Sequence, residues 1–216
     1  MLEKRPYDVD LLKELADICT ELGAPYQAIQ AYEKAIRFWT SKRFSIDSPF
    51  DWSMLNIYMD LMDSRVNFAE KAIPQLKQFA RWLVSRQDET YWDAQRDDRE
   101  WDIEDLPRRI VVGHFIPKRY PKDTYGESLP LELRVKLGMF RLRLGPQHYP
   151  EALLHFQVME PEKPNNPKVE DYYDLFREIA EALQDAAQHR DALRFFLPLT
   201  QLPGEITDPA FFYSVA

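Results

Sequence analysis

The chain has 216 residues, 45% of them apolar and 30% charged, with a net charge of −8, which is enough for one or two domains with a core and excludes disorder throughout. Six glycines are few for an all-β chain of this length, whereas the abundant Leu, Ala, Glu, Lys, Arg and Gln favour helix, so an all-α fold is expected. No apolar run approaches the roughly 20 residues that span a bilayer, MLEKRPYDVD lacks a signal-peptide core, the lone Cys19 cannot form an internal disulfide, and a pI near 5.1 disfavours general polyanion binding.

In chain order, Leu12, Leu15 and Ala16 mark a first helix, Gly23 a turn, and Ala28, Tyr32 and Ala35 a second helix. Ala16 and Ala28 let the paired helices approach closely, and Tyr32 fills the space towards the next hairpin. Trp52 and Leu55 open a second hairpin whose long second helix carries Ala72, Leu76 and Phe79, with Asn56 where a small residue is expected. Residues 1–86 thus hold two hairpins. Residues 87–128 break the pattern with Pro107, Gly113, Pro117, Pro121 and Gly126 and read as a largely irregular insertion, with a short strand at Arg109 to Phe115 as one option. Nine acidic residues lie between Asp88 and Asp105 against Arg96 and Arg99, followed by Arg108, Arg109, Lys118, Arg119, Lys122, Arg134, Lys136, Arg141 and Arg143. The insertion also contains Tyr91, Trp92, Trp101, Phe115, Tyr120 and Tyr125, too aromatic for a solvated linker, so parts of it are expected to dock on the helices.

Residues 129–206 supply two more hairpins. The third has Leu137 and Gly138, a turn at Gly145, then Ala152 and Phe156, with two extra turn residues and Met159 in a slot usually held by Ala. The fourth has Phe176, Ile179, Ala180 and Leu183, a turn at Ala187 to His189, then Ala192, Phe196 and Leu199, stopping at Pro203 and Gly204. Residues 207–216, with Phe211, Phe212 and Tyr213, look like the truncated start of a further repeat. The recurring large, small, aromatic and alanine slots resemble the 34-residue tetratricopeptide (TPR) pattern, which implies a TPR-type α-solenoid of stacked hairpins.

No group of reactive residues assembles into a catalytic constellation, so no enzyme, cofactor or metal is expected. His114, His148, His155 and His189 lack ligand spacing, and Cys19 reads as a small apolar filler. Carboxylate pairs such as Asp97 with Asp98 sit in a charged, Gly-poor segment where solvation is the default. The first helices of a TPR array line its groove. That groove would show Asp10, Lys13, Asp17 and Glu21, then Ser53, Ile57 and Asp60, then Asp174, Arg177, Glu181 and Asp185. Chaperone-binding TPR proteins hold a terminal carboxylate with Lys and Asn on such positions. Here Lys13 matches one slot, but Asp17 replaces the Asn, so a basic or mixed-charge segment suits the groove, with an ordinary solvated face as the alternative. Lys118, Arg119, Lys122, Arg134, Lys136, Arg141 and Arg143 form a candidate basic surface, for the chain's own acidic insertion, an acidic protein partner or, secondarily, nucleic acid. An acidic insertion lying against the Arg134 to Arg143 helix would gate it, and deleting residues 88–105 would then raise affinity for acidic partners.

The runs DDREWDIEDLPRR (Asp97 to Arg109) and IPKRYPKDTYGESLPLELRVKLGMFRLRLG (Ile116 to Gly145), with EALLHFQ and YYDLFREIAEALQ further on, are similar to the large TPR subunit of transcription factor IIIC in its fungal form. That resemblance implies a nuclear, non-catalytic scaffold of the RNA polymerase III machinery. It would bridge promoter-bound factor IIIC to the TFIIB-related and SANT-domain subunits of initiation factor IIIB, alongside other factor IIIC subunits and away from any membrane.

Overall fold

Asp8 accepts a hydrogen bond from the Leu11 amide at 3.2 Å and Asp51 one from Met54 at 2.9 Å, so the first helix of each N-terminal hairpin starts on an aspartate cap. The computed structural model describes residues 7–41, 48–64, 66–103 and 107–202; the expected repeat start at 207–216 lies outside them. The helices are α1 (Val9–Glu21), α2 (Tyr26–Ser41), α3 (Trp52–Asp63), α4 (Ala69–Leu83), α5 (Pro107–Ile110), α6 (Leu131–Arg143), α7 (Tyr149–Phe156), α8 (Lys168–Asp171), α9 (Tyr173–Asp185) and α10 (His189–Leu199). With short 3-10 turns, they make the fold all-α; no strand occurs among the described residues. No helix among them is long and apolar enough to cross a membrane. The described residues form two compact units that divide between Leu133 and Arg134.

In the first unit α1 packs on α2, α2 on α3 and α3 on α4, while α1 also meets α3. Small residues at the crossings let this happen: Ala16, Ala28, Ala35 and Ala72 are all buried. Between the hairpins, the Tyr32 and Tyr58 rings lie parallel with centroids 6.4 Å apart. The Tyr58 hydroxyl donates to Gln75, whereas that of Tyr32 is buried with no hydrogen-bond partner among the described residues. Cys19 is buried in α1.

The second unit uses the same devices. A Cβ added to Gly138 on α6 would come within 2.5 Å of the buried Phe156 ring on α7, so the third hairpin closes on a residue with no side chain. Phe156 in turn meets Phe195 of α10 edge-on at 6.2 Å, and Phe195 meets Phe176 of α9 at 5.9 Å.

Three helices end on one hydrogen-bond motif. After α1 the Ala24 amide donates to the Cys19 carbonyl and Gly23 to Thr20; after α4, Arg86 donates to Arg81 and Ser85 to Trp82; after α9, Gln188 donates to Leu183 and Ala187 to Gln184. Each places one residue in the left-handed region: Gly23, Ser85 and Ala187 at φ 61, 60 and 57°. Ala187 carries a Cβ where that conformation is strained. Ala187→Gly is therefore expected to stabilise the chain by about 0.5–1 kcal/mol, the relief exceeding the added unfolded-state entropy; urea denaturation monitored by circular dichroism measures it.

Residues 109–115 do not form a strand. They continue from the one-turn α5 through bonds from Val112 to Arg109 and Phe115 to Val112. The three-residue repeat buries Arg109 and Val112 together, where strand alternation would have separated them to opposite faces.

Candidate interaction surface

The insertion docks on α4 through buried charge. Lys77 and Arg81, one helical turn apart, lie among the apolar residues of α4 and are both buried. The Arg81 guanidinium donates to both Glu100 oxygens at 3.0 and 3.1 Å and also to Asp93. Lys77 lies 3.2 Å from Asp98 and 3.4 Å from Glu100 and donates to the Asp97 carbonyl at 2.8 Å. Asp98 and Glu100 are fully buried, which corrects the expectation of a solvated acidic segment: α4 presents cations on a side that the insertion covers, so the carboxylates follow them inward. Deleting residues 88–105 would leave those cations without their partners, so such a deletion would unfold this docking and not merely unmask a surface.

A second buried cluster centres on Glu89. Its oxygens accept from Arg86 Nη1 at 2.7 Å, Trp92 Nε1 at 2.9 Å, the Tyr91 hydroxyl at 2.8 Å and the Tyr125 hydroxyl at 3.0 Å. The Arg86 guanidinium lies 3.8 Å from the Tyr125 ring centroid and 4.9 Å from that of Trp101, and its Nε donates to the Thr124 carbonyl at 3.0 Å. Arg109 approaches the same Tyr125 ring at 4.9 Å and donates to the Asp102 carbonyl at 2.7 Å. Burial, reinforced by Glu89, pushes the Tyr91 and Tyr125 hydroxyls well above the ordinary tyrosine range, so both stay protonated and donate to the Glu89 carboxylate.

At the far side of this cluster Phe115, Lys118, Arg119, Tyr120, Pro121, Lys122 and Tyr125 line a cavity of about 350 Å³. Lys118, Arg119 and Lys122 are exposed at it. Arg119 and the Tyr120 hydroxyl both donate to Asp88, and the Arg119 guanidinium lies 5.5 Å from the Tyr120 ring centroid.

The other cations of the expected basic surface differ in their exposure. Arg134 and Arg141 are buried, Lys136 is half-buried, and only Arg143 is exposed. On α6 the face that reaches solvent is that of Glu132, Lys136 and Arg143, whereas Arg134 and Arg141 lie on the opposite side, buried among apolar residues. Of the positions expected to line a groove, Asp10, Lys13, Asp17 and Glu21 are exposed on α1, Ser53 and Asp60 are exposed on α3 with Ile57 half-buried, and Asp174, Arg177, Glu181 and Asp185 are exposed on α9. On α9, Arg177 donates to Glu181 at 2.7 Å, which reduces that face's capacity for a ligand.

Two carboxylates tie the pH response to these contacts. Burial opposes ionisation of Glu33, but Lys71 at 2.7 Å and Arg37 at 3.2 Å outweigh it and hold the carboxyl below its ordinary 4.5. Burial likewise opposes ionisation of Asp97, but bonds from Arg99, with Arg108 nearby, hold it below 3.8. A depressed folded-state pKa gives stability that is present above the ordinary value and lost as pH falls through the folded one. Unfolding free energy is therefore expected to drop as pH falls below those ordinary values, with a shallower slope in Glu33→Gln and Asp97→Asn, read from urea titrations over the acid range.

No protein-family model matches the chain. It is 35% identical over 154 residues, 71% of its length, to the transcription factor tau 131 kDa subunit of Saccharomyces cerevisiae. It is 31% identical over 204 residues, 91% of its length, to the transcription factor tau subunit sfc4 of Schizosaccharomyces pombe. These matches cover 14% and 19% of the relatives, so the chain spans less than a fifth of either.

Proposed function

Since the chain belongs to the family of the transcription factor tau 131 kDa and sfc4 subunits, we propose that it is a TPR-type α-solenoid segment of a non-catalytic scaffold in transcription factor IIIC. It acts in the nucleus, in RNA polymerase III transcription, by holding other factor IIIC subunits and binding subunits of initiation factor IIIB. The observation that carries this reading is identity reaching across 91% of the chain, too long a match to arise from repeat slots alone. Supporting it, the first hairpins pair in sequence order through alanines and a shared aromatic layer, the contact pattern that stacked repeats require. The exposed carboxylates Asp10, Asp17 and Glu21 on α1 and Asp60 on α3 form the groove face, suited to a basic or mixed-charge segment.

Immobilised chain incubated with purified factor IIIB subunits and the remaining factor IIIC subunits tests this. At least one is expected to be retained, and Asp10→Lys with Asp17→Lys to weaken retention. A folded chain that retains none of them defeats the reading.

A further inference from the structure

The cavity at the tip of the insertion combines an aromatic wall with a cluster of cations. Its walls are the rings of Phe115, Tyr120 and Tyr125 with Pro121, and three cations stand around it. Among the described residues neither Lys118 nor Lys122 has an acidic partner, while Arg119 is held by Asp88. Lys118 also sits in the left-handed region, φ 67°, at the turn closed by the bond from the Arg119 amide to the Ile116 carbonyl. Next to Phe115 in sequence, Ile116 is 57% exposed, and Val111 is 69% exposed. Apolar wall, unpaired lysines and exposed aliphatic residues thus all fall within residues 111–125.

Asp88 shows which chemistry the donors accept: a carboxylate already takes both the Arg119 guanidinium and the Tyr120 hydroxyl. Its position leaves Lys118 and Lys122 unneutralised. A ligand that satisfies the whole site carries carboxylates for the two lysines and an aliphatic or aromatic side chain for the ring-walled hollow. A volume of about 350 Å³ suits one or two side chains, at the small end of ligand pockets.

We propose that this cavity is a docking site for an acidic-apolar peptide segment of a partner protein. Duplex DNA fits it less well, because strong phosphate binding needs many cations spread along a surface, and here three converge on one hollow in a chain of net charge −8. A short peptide feels mainly the local field, since charges beyond about 8 Å are screened at physiological salt. The proposal rests on the scaffold reading only in expecting a protein ligand; the cavity itself stands on its lining.

Fluorescence anisotropy with the 216-residue chain and a labelled synthetic peptide of alternating glutamate and leucine tests it. Lys118→Glu together with Lys122→Glu is expected to weaken binding at least about tenfold, equivalent to about 1.4 kcal/mol. Replacing the leucines by serine should weaken it similarly. Lys34→Glu, on the exposed face of α2, should leave it unchanged. Peptide that binds wild type and the double variant alike, or a loss as large in Lys34→Glu, overturns the proposal. So does duplex DNA that binds more tightly than the peptide and weakens in the same double variant. Failure of the peptide arm while a factor IIIB or IIIC subunit is still retained removes the cavity and leaves the scaffold reading intact.

Discussion

Glu89→Ala is expected to destabilise the chain by about 3–5 kcal/mol, the range for removing one member of a buried ion pair. Glu89 is fully buried and accepts four side-chain hydrogen bonds, from Arg86, Tyr91, Trp92 and Tyr125. Alanine leaves the Arg86 cation buried without its carboxylate and three further donors unsatisfied, and no apolar contact replaces them. The Tyr125 ring and the Thr124 carbonyl still hold part of the guanidinium, which keeps the loss within that range. Paired Arg86→Met and Glu89→Leu removes both charges and is expected to recover a good part of it, because well-packed apolar groups often equal a buried pair. Urea unfolding followed by tryptophan fluorescence, to which Trp92 is one of five contributors, measures the change. A loss below about 1 kcal/mol for the single variant would mean that Glu89 is not buried in this way.

Gly126→Ala is expected to cost about 3 kcal/mol, the upper part of the usual range for overpacking. A Cβ there would lie 2.3 Å from the Asp102 carbonyl oxygen, 2.5 Å from its carbon and 2.6 Å from the Trp101 carbonyl oxygen. All three are backbone atoms, so no side chain can swing aside, and the 3-10 turn at Gly126–Ser128 must separate from the turn at Arg99–Trp101. That separation would draw Tyr125 away from Arg86, so the loss couples to the Glu89 cluster. A double-mutant cycle with Glu89→Ala should be non-additive by at least about 0.5 kcal/mol. Additivity would place the two features in independent parts of the insertion.

The helices were legible because their signals are local. Leu12, Ala16, Ala28 and Tyr32 repeat at helical spacing, and Gly23 marks the turn that the left-handed residue requires. Ala187 makes the same turn without glycine, and its neighbours Leu183 and Ala192 still revealed the hairpin. The resemblance read from DDREWDIEDLPRR and the basic run after it agrees with the two relatives found by comparison. What escaped was pairing at long range. Arg81 with Glu100 and Arg86 with Thr124 are 19 and 38 residues apart, and no periodicity encodes such distances. A signal existed nonetheless: Lys77 and Arg81 continue the stripe set by Ile73 on α4, where cations on an apolar face call for carboxylates from elsewhere. On α6 the misreading ran the other way. Arg134 and Arg141 share a face, which suggested a surface, but it is the face turned inward; Glu132, Lys136 and Arg143 on the other side are the ones that reach solvent. Of the expected basic surface, Lys118, Arg119 and Lys122 gather at one cavity, a grouping visible in the sequence as KRYPK before any geometry.

Arg86 donates to the Thr124 carbonyl and Tyr125 to Glu89, so the insertion is fastened where it leaves the helices and where it returns. A drawstring of this kind closes over a shared apolar core, in which Trp92 and Tyr125 pack with Val112. In the tip, residues 110–120, only the exposed positions, such as Ile110, Val111, Ile116 and Lys118, are free to drift while the scaffold stays constant; Val112 and Phe115 belong to its packing. Tension pulled through the polypeptide from either end would likewise pass across the knot at Arg86 and Thr124, sparing the tip until the knot itself gives way.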